Sequence, residues 1–264
     1  MIRHTGLLKM YVSTLLLGAC WALPGPAQQP DQGANWEALR DEIEILKQGQ
    51  KDIQASLKAI QAQAKPKSKS PIEAIDITVT LNDHDYALGN ADAKLTLIEF
   101  SDYQCPFCRR HFNDTVPKLI TDFVDTGKIR YVYRDFPLKF HKDAPKAAEA
   151  AICSGEQGKF WEMNKRLYEN QKKLKPADLE GHAEAVGLDM AAFKACLESG
   201  RHADGVKKDM ADASKGGITG TPSFYLGYTQ PDGAVKAVRK IRGAQSFDKF
   251  EAAIGELLKA AKPN

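Results

Sequence analysis

The amino-acid sequence predicts an α/β fold in which a block of helices is inserted between two groups of strands. Three observations support this class. Residues 95–100 form a nearly continuous apolar run, which is typical of a strand buried on both faces. Residues 141–215 show helical periodicity and contain the helix-ending residues Gly155, Pro176 and Gly187. A further pair of strands and a closing amphipathic helix follow, so the predicted order is β, β, α, β, a helical block, β, β, α.

The beginning of the chain has the pattern of an export signal. A basic start precedes an apolar stretch at residues 10–23, which is too short to span a membrane comfortably, and small residues follow it. We therefore predict a signal peptide over residues 1–27 and a periplasmic or other extracytoplasmic location. Residues 17–20 also resemble a lipobox, so a lipid anchor on Cys20 is the alternative.

Length, charge and composition narrow the function. A chain of 264 residues is long enough for one sizeable core with appendages. The formal net charge of +3 is too small to indicate nucleic acid or an anionic membrane surface as a partner, and the aromatic residues are not interleaved with basic runs. We therefore expect no nucleic-acid partner. We also predict that the protein uses no cofactor.

A heptad pattern precedes the predicted globular domain, within an N-terminal segment at residues 28–64. Its apolar residues alternate at spacings of three and four, which is the pattern of a coiled coil. The seam contains Trp36, Leu39, Ile43, Leu46, Ile53, Leu57 and Ile60, with the polar residue Gln50 in its middle. We predict a homodimer or homotrimer formed through residues 36–63, and the alternative is a lone amphipathic helix that folds back on its own domain. A polar linker is predicted at residues 65–71.

The globular domain is predicted over residues 72–264, and each of its elements follows from a local pattern. Alternating or continuous apolar runs predict strands at 75–81, 95–100, 129–134, 222–227 and 235–241. Helical periodicity predicts helices at 106–126, 144–154, 159–171, 177–186, 190–199 and 247–261. Because proline lacks an amide hydrogen, we expect Pro117 to kink the first of these helices.

The motif Cys105-Pro106-Phe107-Cys108 is the strongest chemical signal in the sequence. The predicted strand at 95–100 leads directly to Cys105, and Pro106 suits the first turn of the helix that follows. The thiolate is the nucleophilic form of a cysteine, and the unpaired amides at a helix N-terminus favour that charged form. Cys108 lies on the same helix face and is expected to be the more buried thiol.

Three other kinds of site share the spacing of Cys105 and Cys108. A zinc site would need a second close pair of ligands, whereas Cys153 and Cys196 are far apart in sequence. A purely structural disulfide between Cys105 and Cys108 would constrain only a short loop of the chain. A copper-binding dithiol remains as an alternative, because an exported dithiol binds soft metals readily. The order of strand, motif and helix favours redox chemistry, because this context activates a thiol.

Two separated segments resemble those of one known family. Residues 98–108 (Ile-Glu-Phe-Ser-Asp-Tyr-Gln-Cys-Pro-Phe-Cys) resemble the active-site segment of DsbA-type oxidoreductases, which have a thioredoxin-like fold. Residues 217–222 (Gly-Ile-Thr-Gly-Thr-Pro) resemble the cis-proline loop of that family. The resemblance covers about residues 76–260 and implies a thioredoxin-like domain with a helical insertion at about 141–215.

The resemblance implies a role for five residues. Cys105 would be the nucleophile and Cys108 the resolving thiol of a protein thiol–disulfide oxidoreductase that works through a mixed disulfide. Pro222 would be cis and lie against the disulfide, and the backbone of Thr221 would pair with an extended substrate segment. Glu99 matches the position of a buried acid that assists proton transfer. The implied partners are proteins with thiols or disulfides, together with a redox partner.

Two positions depart from the pattern of the strongest oxidants in the family. Phe107 stands where the best-known oxidant has a histidine that stabilises the thiolate, and Thr221 before the proline resembles the disulfide isomerases. These departures and the heptads leave an oligomeric isomerase or reductase as the alternative to a simple oxidant. Some relatives have a second disulfide in the helical insertion, which implies a structural disulfide between Cys153 and Cys196.

Overall fold

The computed structural model describes residues 32–64, 70–82 and 84–261. The predicted signal peptide, the alternative lipid anchor at Cys20 and most of the predicted linker lie outside these residues. Within the described part of the chain, no helix is both long enough and apolar enough to cross a membrane.

The chain divides into two compact units, of which the first is Met1–Pro66. The described part of this unit is the helix α1 (Gln32–Ala64), which confirms the predicted N-terminal helix. Large apolar side chains are exposed at its heptad positions, namely Trp36, Leu39, Ile43, Leu46, Ile53, Leu57 and Ile60. Self-association through these positions stays a prediction.

The second unit, Lys67–Asn264, contains the sheet. Its described strands are β1 (Ile72–Val79), β2 (Tyr86–Leu88), β3 (Leu95–Ser101), β4 (Ile129–Asp135), β5 (Ser223–Thr229) and β6 (Val235–Arg242). They form a sheet in the order β1-β6-β5-β3-β4-β2, in which β3 and β4 are parallel and the other neighbours are antiparallel. The strand that leads to Cys105 is therefore an interior strand.

Both faces of β3 are covered, which explains its continuous apolar sequence. Side chains alternate across a strand, so Leu95 and Leu97 pack on one face, in a cluster that includes Phe224. Ile98 and Phe100 pack on the other face in a separate cluster. Burying each such side chain contributes about 1.5–3 kcal/mol, so the strand that leads to the site is firmly held.

The described helices of this unit are α2 (Pro106–Asp114), α3 (Val116–Leu119), α4 (Ala144–Gly155), α5 (Phe160–Glu169), α6 (Pro176–Ala185), α7 (Met190–Ser199), α8 (Ala203–Lys215) and α9 (Phe247–Ala260). Helices α4 to α8 lie between β4 and β5 and form the predicted insertion. The sequence predicted four separate helices there, and α8 is an additional one. Gly200 adopts left-handed backbone angles (φ 64°) and ends α7 before α8 begins.

Two elements differ from the predictions. The single helix expected over residues 106–126 is wrong, because α2 ends at Asp114, α3 begins at Val116 and a short π-helical segment follows at Ile120–Val124. Pro117 lies in the first turn of α3, and because it lacks an amide hydrogen it cannot continue the hydrogen-bond ladder of α2. The strand β2 is also new, since its three residues are too few to show a period.

A disulfide between Cys153 in α4 and Cys196 in α7 joins two helices of the insertion. Its S–S distance is 1.96 Å, and both residues are buried. The two cysteines belong to the apolar core of the insertion, together with Phe193 and Leu197. The bond therefore ties together two parts of one core.

Removing this disulfide should lower the stability of the protein. The two cysteines are separated by 43 residues, and closing a loop of that length stabilises a chain by about 4 kcal/mol in the chain-entropy account. We expect the double variant Cys153→Ala/Cys196→Ala to lose about this much free energy of unfolding in a denaturant titration. A loss below about 1 kcal/mol would show that the cross-link does not restrain the unfolded chain as this account requires.

Candidate active site

Cys105 and Cys108 lie at the junction between β3 and α2. Cys105 immediately precedes the helix and has extended backbone angles (φ −74°, ψ 120°), while Pro106 occupies the first turn. Both cysteines are free thiols. Both are also buried, with Cys108 (0% exposed) more deeply placed than Cys105 (3%). The motif therefore follows a strand and a turn and lies at the N-terminus of a helix.

The surroundings of the two thiols give them opposite acidities. The pKa of Cys105 is lowered to about 6, first by a hydrogen bond from the Cys108 thiol and then by the nearby Thr221 side chain and by hydrogen bonds from the amides of Cys108 and Phe107, while burial opposes the shift. Burial raises the pKa of Cys108 well above its usual value. At neutral pH Cys105 is therefore the thiolate, and Cys108 keeps its proton.

The lowered pKa of Cys105 predicts a pH profile for its alkylation. Because only the thiolate reacts, the rate with iodoacetamide should rise with pH through a midpoint near 6 and level off above it. In the Cys108→Ala variant the largest stabilising hydrogen bond is lost, so the midpoint should move upward. A wild-type midpoint near that of a free cysteine, about 8.5, would contradict this assignment.

Glu99 lies buried on β3, with an exposed fraction of 2%. Its carboxylate accepts a hydrogen bond of 2.7 Å from the Ser101 hydroxyl and a second one from the Tyr131 hydroxyl. Burial raises its pKa to about 7, against these two hydrogen bonds, and the charge of Cys105 adds to the rise. Glu99 therefore exchanges a proton in the neutral range, which an exposed carboxylate does not do.

His111 also belongs to this site, although its sequence position gives little sign of it beyond the helical spacing from Cys108. Its Nε2 atom lies 3.5 Å from a Glu99 oxygen. The imidazole packs against the rings of Phe224 and Phe250, at centroid distances of 4.6 and 5.3 Å. Burial lowers its pKa to about 3, so the imidazole is neutral near neutral pH.

The loop before β5 lies against Cys105. The peptide bond between Thr221 and Pro222 is cis, and the Cys105 thiol is 3.5 Å from the Thr221 carbonyl oxygen, which accepts its hydrogen bond. The Pro222 carbonyl accepts a hydrogen bond of 2.8 Å from the amide of Gly243. A cavity of about 250 Å³ runs along this loop and is also lined by Lys240.

A row of buried hydroxyl groups continues from Glu99 into the insertion. The Ser101 hydroxyl lies 2.7 Å from the Tyr168 hydroxyl, which in turn lies 2.7 Å from the Tyr133 hydroxyl. Ser101 follows Glu99 at a spacing of two residues, which puts both side chains on one face of the strand. This spacing is the only sign in the sequence that Ser101 belongs to the site. Tyr168 is 67 residues away from Ser101, and no local pattern connects the two.

The structure brings five of the predicted site residues together and leaves two elsewhere. Cys105, Cys108, Thr221, Pro222 and Glu99 share contacts or electrostatic coupling around the two thiols. Cys153 and Cys196 form the disulfide of the insertion.

Comparison with solved structures identifies similar folds. Alpha-DsbA1 from Wolbachia pipientis has a TM-score of 0.60 and 26% sequence identity over 69% of this chain and 94% of its own. Oxidised BdbD from Bacillus subtilis has the same TM-score and identity over 71% of this chain and 99% of its own. These similarities confirm the α/β, thioredoxin-like fold.

Among curated proteins, the chain is similar to part of a much longer one. It is 40% identical over 154 residues to Na(+)/H(+) antiporter NhaA 1 from Salinispora arenicola, which is 58% of this chain and 23% of that protein. The chain spans less than a third of the length of the curated relatives that it matches.

The family assignment rests on the greater part of the second unit. The sequence model described as Thioredoxin matches residues 81–255, a span that contains the Cys105–Cys108 motif, the helical insertion and the cis-proline loop. One of the solved structures of similar fold is named alpha-DsbA1. The chain therefore belongs to the thioredoxin family, and its fold is similar to that of a DsbA-type protein.

Proposed function

We propose that this protein is an exported enzyme that exchanges disulfides with protein substrates through Cys105 and Cys108. The observation that carries the proposal is the opposite acidity of two adjacent thiols at one helix N-terminus. Cys105 ionises near pH 6, whereas Cys108 is buried and holds its proton. This asymmetry supports a nucleophile and a resolving thiol, which are the two roles that a dithiol exchange enzyme needs.

The proposed reaction has two exchange steps. When the enzyme acts as a reductant, the Cys105 thiolate attacks a substrate disulfide, and the sulfur that leaves is a substrate thiolate. Cys108 then loses its proton and attacks the Cys105 sulfur of the mixed disulfide, which releases the second substrate thiolate and closes the Cys105–Cys108 disulfide. When the enzyme acts as an oxidant, the same steps run in reverse, and a separate redox partner restores the starting state.

Three neighbours of the dithiol support these steps. Glu99 is placed to exchange the proton of Cys108, because its pKa of about 7 lets it give or take a proton in the neutral range. The Thr221 backbone lies beside the Cys105 sulfur and would pair with an extended substrate segment. Pro222 follows Thr221 through the cis peptide bond and would lie on the same side of the dithiol.

The nucleophile assignment is tested by the variant Cys105→Ala. We expect its rate of disulfide exchange with a fluorescent dithiol peptide to fall to the uncatalysed background. The matched control is Cys153→Ala/Cys196→Ala, assayed at a temperature where circular dichroism shows that it is folded, and it should keep activity. If Cys105→Ala exchanged the peptide at the wild-type rate, the proposed function would be wrong.

Export is supported by the predicted signal peptide and by a disulfide between buried cysteines, since such bonds persist in oxidising compartments. The test is to express the full chain with its first 27 residues in a bacterium, fractionate the cells and determine the mature N-terminus by mass spectrometry. We expect an extracytoplasmic protein that begins at Gln28. A mature chain that begins at a lipid-modified Cys20 would favour the anchored alternative, and an unprocessed cytoplasmic chain would contradict export.

The second candidate function is disulfide isomerisation by an oligomer. The favouring observation is that the heptad residues of α1 expose large apolar side chains, which a second or third copy of the same helix would bury. A dimer or trimer would carry several dithiols and could reduce and re-form disulfides within one substrate. This candidate shares the chemistry proposed above and differs in assembly.

Point variants of the full chain separate the seam of α1 from its other surface. Leu46→Asp places a charge at a heptad position, whereas Ile45→Asp places the same charge on an equally exposed neighbour outside the heptads. In light scattering, we expect an oligomer for the wild type and Ile45→Asp, and a monomer for Leu46→Asp. Refolding of a scrambled disulfide protein should slow only in Leu46→Asp. A monomeric wild-type chain would exclude the oligomeric isomerase.

A further inference from the structure

Ser101 is a buried neighbour of Glu99 whose hydrogen bonds the mechanism above does not use. It is the last residue of β3 and has no exposed surface. Its hydroxyl donates a hydrogen bond of 2.7 Å to Glu99 Oε1 and lies 2.7 Å from the hydroxyl of Tyr168. Its side chain also acts on Cys108, whose pKa it lowers against the effect of burial.

The hydrogen-bonding capacity of Ser101 matches this environment. A serine hydroxyl has one donor hydrogen and two acceptor lone pairs. Its hydrogen points to Glu99, so Tyr168 donates to one lone pair, and the hydroxyl can still accept one more hydrogen. Tyr133 supports the orientation of Tyr168 through a hydrogen bond of 2.7 Å between their hydroxyls.

Glu99 and Cys108 interact in a different way from Ser101 and Cys108. The charge of Glu99 raises the pKa of Cys108, whereas the Ser101 side chain lowers it. Ser101 is therefore the residue that both holds a hydrogen bond to Glu99 and favours the ionised form of Cys108. Proton transfer is efficient only along such contacts.

The other groups that face Glu99 are unsuited to accept this proton. His111 on α2 has a pKa of about 3, so its protonated form is scarce at neutral pH. Tyr131 on β4 and Tyr168 on α5 are buried phenols whose pKa values are raised well above 10, mainly by burial, so neither becomes a phenolate base. Cys105 is occupied by the mixed disulfide at this stage.

We propose that the Ser101 hydroxyl relays the proton between the Cys108 thiol and Glu99 in the step that closes or opens the active-site disulfide. The inference rests on the proposed function and assigns a role to a residue outside the cysteine motif. Ser101 accepts the Cys108 proton and passes its own proton to Glu99 Oε1. The Cys108 thiolate attacks the Cys105 sulfur, the bond from that sulfur to the substrate breaks, and its electron pair leaves with the substrate thiolate.

The same relay works in the oxidising direction. A substrate thiolate attacks the Cys105 sulfur of the active-site disulfide, and the S–S bond breaks with its electron pair on Cys108. The Cys108 thiolate takes the hydroxyl proton of Ser101, which regains one from protonated Glu99. A second substrate thiolate then attacks the substrate sulfur of the mixed disulfide, which releases the Cys105 thiolate and forms the substrate disulfide. The two cysteines are thus reduced as the substrate dithiol is oxidised.

A stopped-flow experiment separates the relay from the nucleophilic step. Reduced enzyme is mixed with an equimolar amount of dithiobis(nitrobenzoate), an aromatic disulfide that releases one coloured thiolate when Cys105 attacks and a second when Cys108 resolves. We expect Ser101→Ala to keep the first phase and to slow the second about 100-fold at pH 7, which is the lower range for positioned proton transfer. Ser101→Thr keeps a hydroxyl and should restore the second phase.

Two further measurements distinguish a relay from a packing effect. In the wild type the second phase should accelerate with pH through a midpoint near 7, as Glu99 ionises, and Ser101→Ala should lose this midpoint. Glu99→Gln should slow the second phase like Ser101→Ala, and the double variant should be no slower than the slower single one, because both act in one path. Multiplying effects in the double variant would overturn the relay.

Ser154→Ala is the matched control, because Ser154 is equally buried and its hydroxyl bonds only locally, to the Ala151 carbonyl at 2.6 Å. It should leave both phases unchanged. A wild-type second phase in Ser101→Ala would overturn the relay alone. A first phase that survives in Cys105→Ala would instead overturn the proposed function on which the relay rests.

Discussion

Replacing Cys108 with alanine should stop turnover and leave the enzyme covalently joined to its substrate through Cys105. The Cys105 thiolate still attacks a disulfide, but the thiol that would resolve the mixed disulfide is missing. The intramolecular attack is replaced by attack of external thiols, so we expect turnover to fall about 1,000-fold or more. Non-reducing gels and mass spectrometry of the variant mixed with a disulfide-bonded protein should show the one-to-one adduct.

The variant Cys105→Ala and peptide mapping show which cysteine carries the adduct. Cys105→Ala should form no adduct under the same conditions, because the remaining thiol is buried and protonated near neutral pH. Peptide mapping of the Cys108→Ala adduct should locate the new bond at Cys105. An adduct that formed through another cysteine, or rapid turnover in Cys108→Ala, would contradict the assignment of nucleophile and resolving thiol.

A large effect on stability is expected at Arg134 on β4. Its side chain has no exposed surface and donates to both carboxylate oxygens of Asp85, at 2.8 and 2.5 Å, and to the Thr80 carbonyl at 2.7 Å. Replacing one partner of a buried ion pair leaves the other charge unpaired and costs about 3–5 kcal/mol. We expect Arg134→Met to lose this much free energy of unfolding in a denaturant titration.

The pH dependence of Arg134→Met has a defined sign. Burial already raises the pKa of Asp85, and loss of the guanidinium would raise it further. A carboxyl group with a raised pKa in the folded state destabilises that state as pH rises, so the deficit should be larger at pH 7 than at pH 4. Adding Asp85→Asn should recover part of the loss.

A surface ion pair provides the comparison for Arg134. Arg239 and Glu256 are 2.6 Å apart, with Glu256 exposed, so Arg239→Met should cost no more than about 1 kcal/mol. If Arg134→Met cost no more than this control, the buried pair would contribute nothing beyond a surface contact.

Much of the fold could be predicted because its signals are local. The apolar run at 95–100 became β3, and the helix-ending residues divided the insertion close to where its helices end. The strand β2 and the additional helix α8 escaped prediction. β2 has three residues, and it is held by its pairing with β4, which no local pattern reveals.

The site, like the fold, could be predicted where its residues stand in short local motifs. Cys105, Cys108 and the loop at Thr221 and Pro222 stand in short motifs whose resemblance to one family gave them roles. Ser101 escaped prediction because a serine near a strand end is unremarkable in sequence. Its role depends on Tyr168, 67 residues away, and on burial that only the folded chain provides.

The buried ion pair of Arg134 illustrates the same limit. Asp85 precedes it by 49 residues, and nothing in either local sequence shows that the two charges meet away from water. The exposed heptads of α1 are the opposite case. Their pattern is clear in the sequence, and its consequence for assembly depends on other copies of the chain.

The central claim is that Cys105 and Cys108 form the reversible redox centre, and its most direct test is an equilibrium with glutathione. The protein is held at a series of ratios of reduced to oxidised glutathione, its thiols are trapped with acid and alkylated, and the disulfides are mapped by mass spectrometry. We predict one two-electron transition in which the Cys105–Cys108 disulfide forms and disappears, while Cys153–Cys196 stays oxidised. A reversible transition confined to Cys153–Cys196, or none at the first pair, would contradict the account.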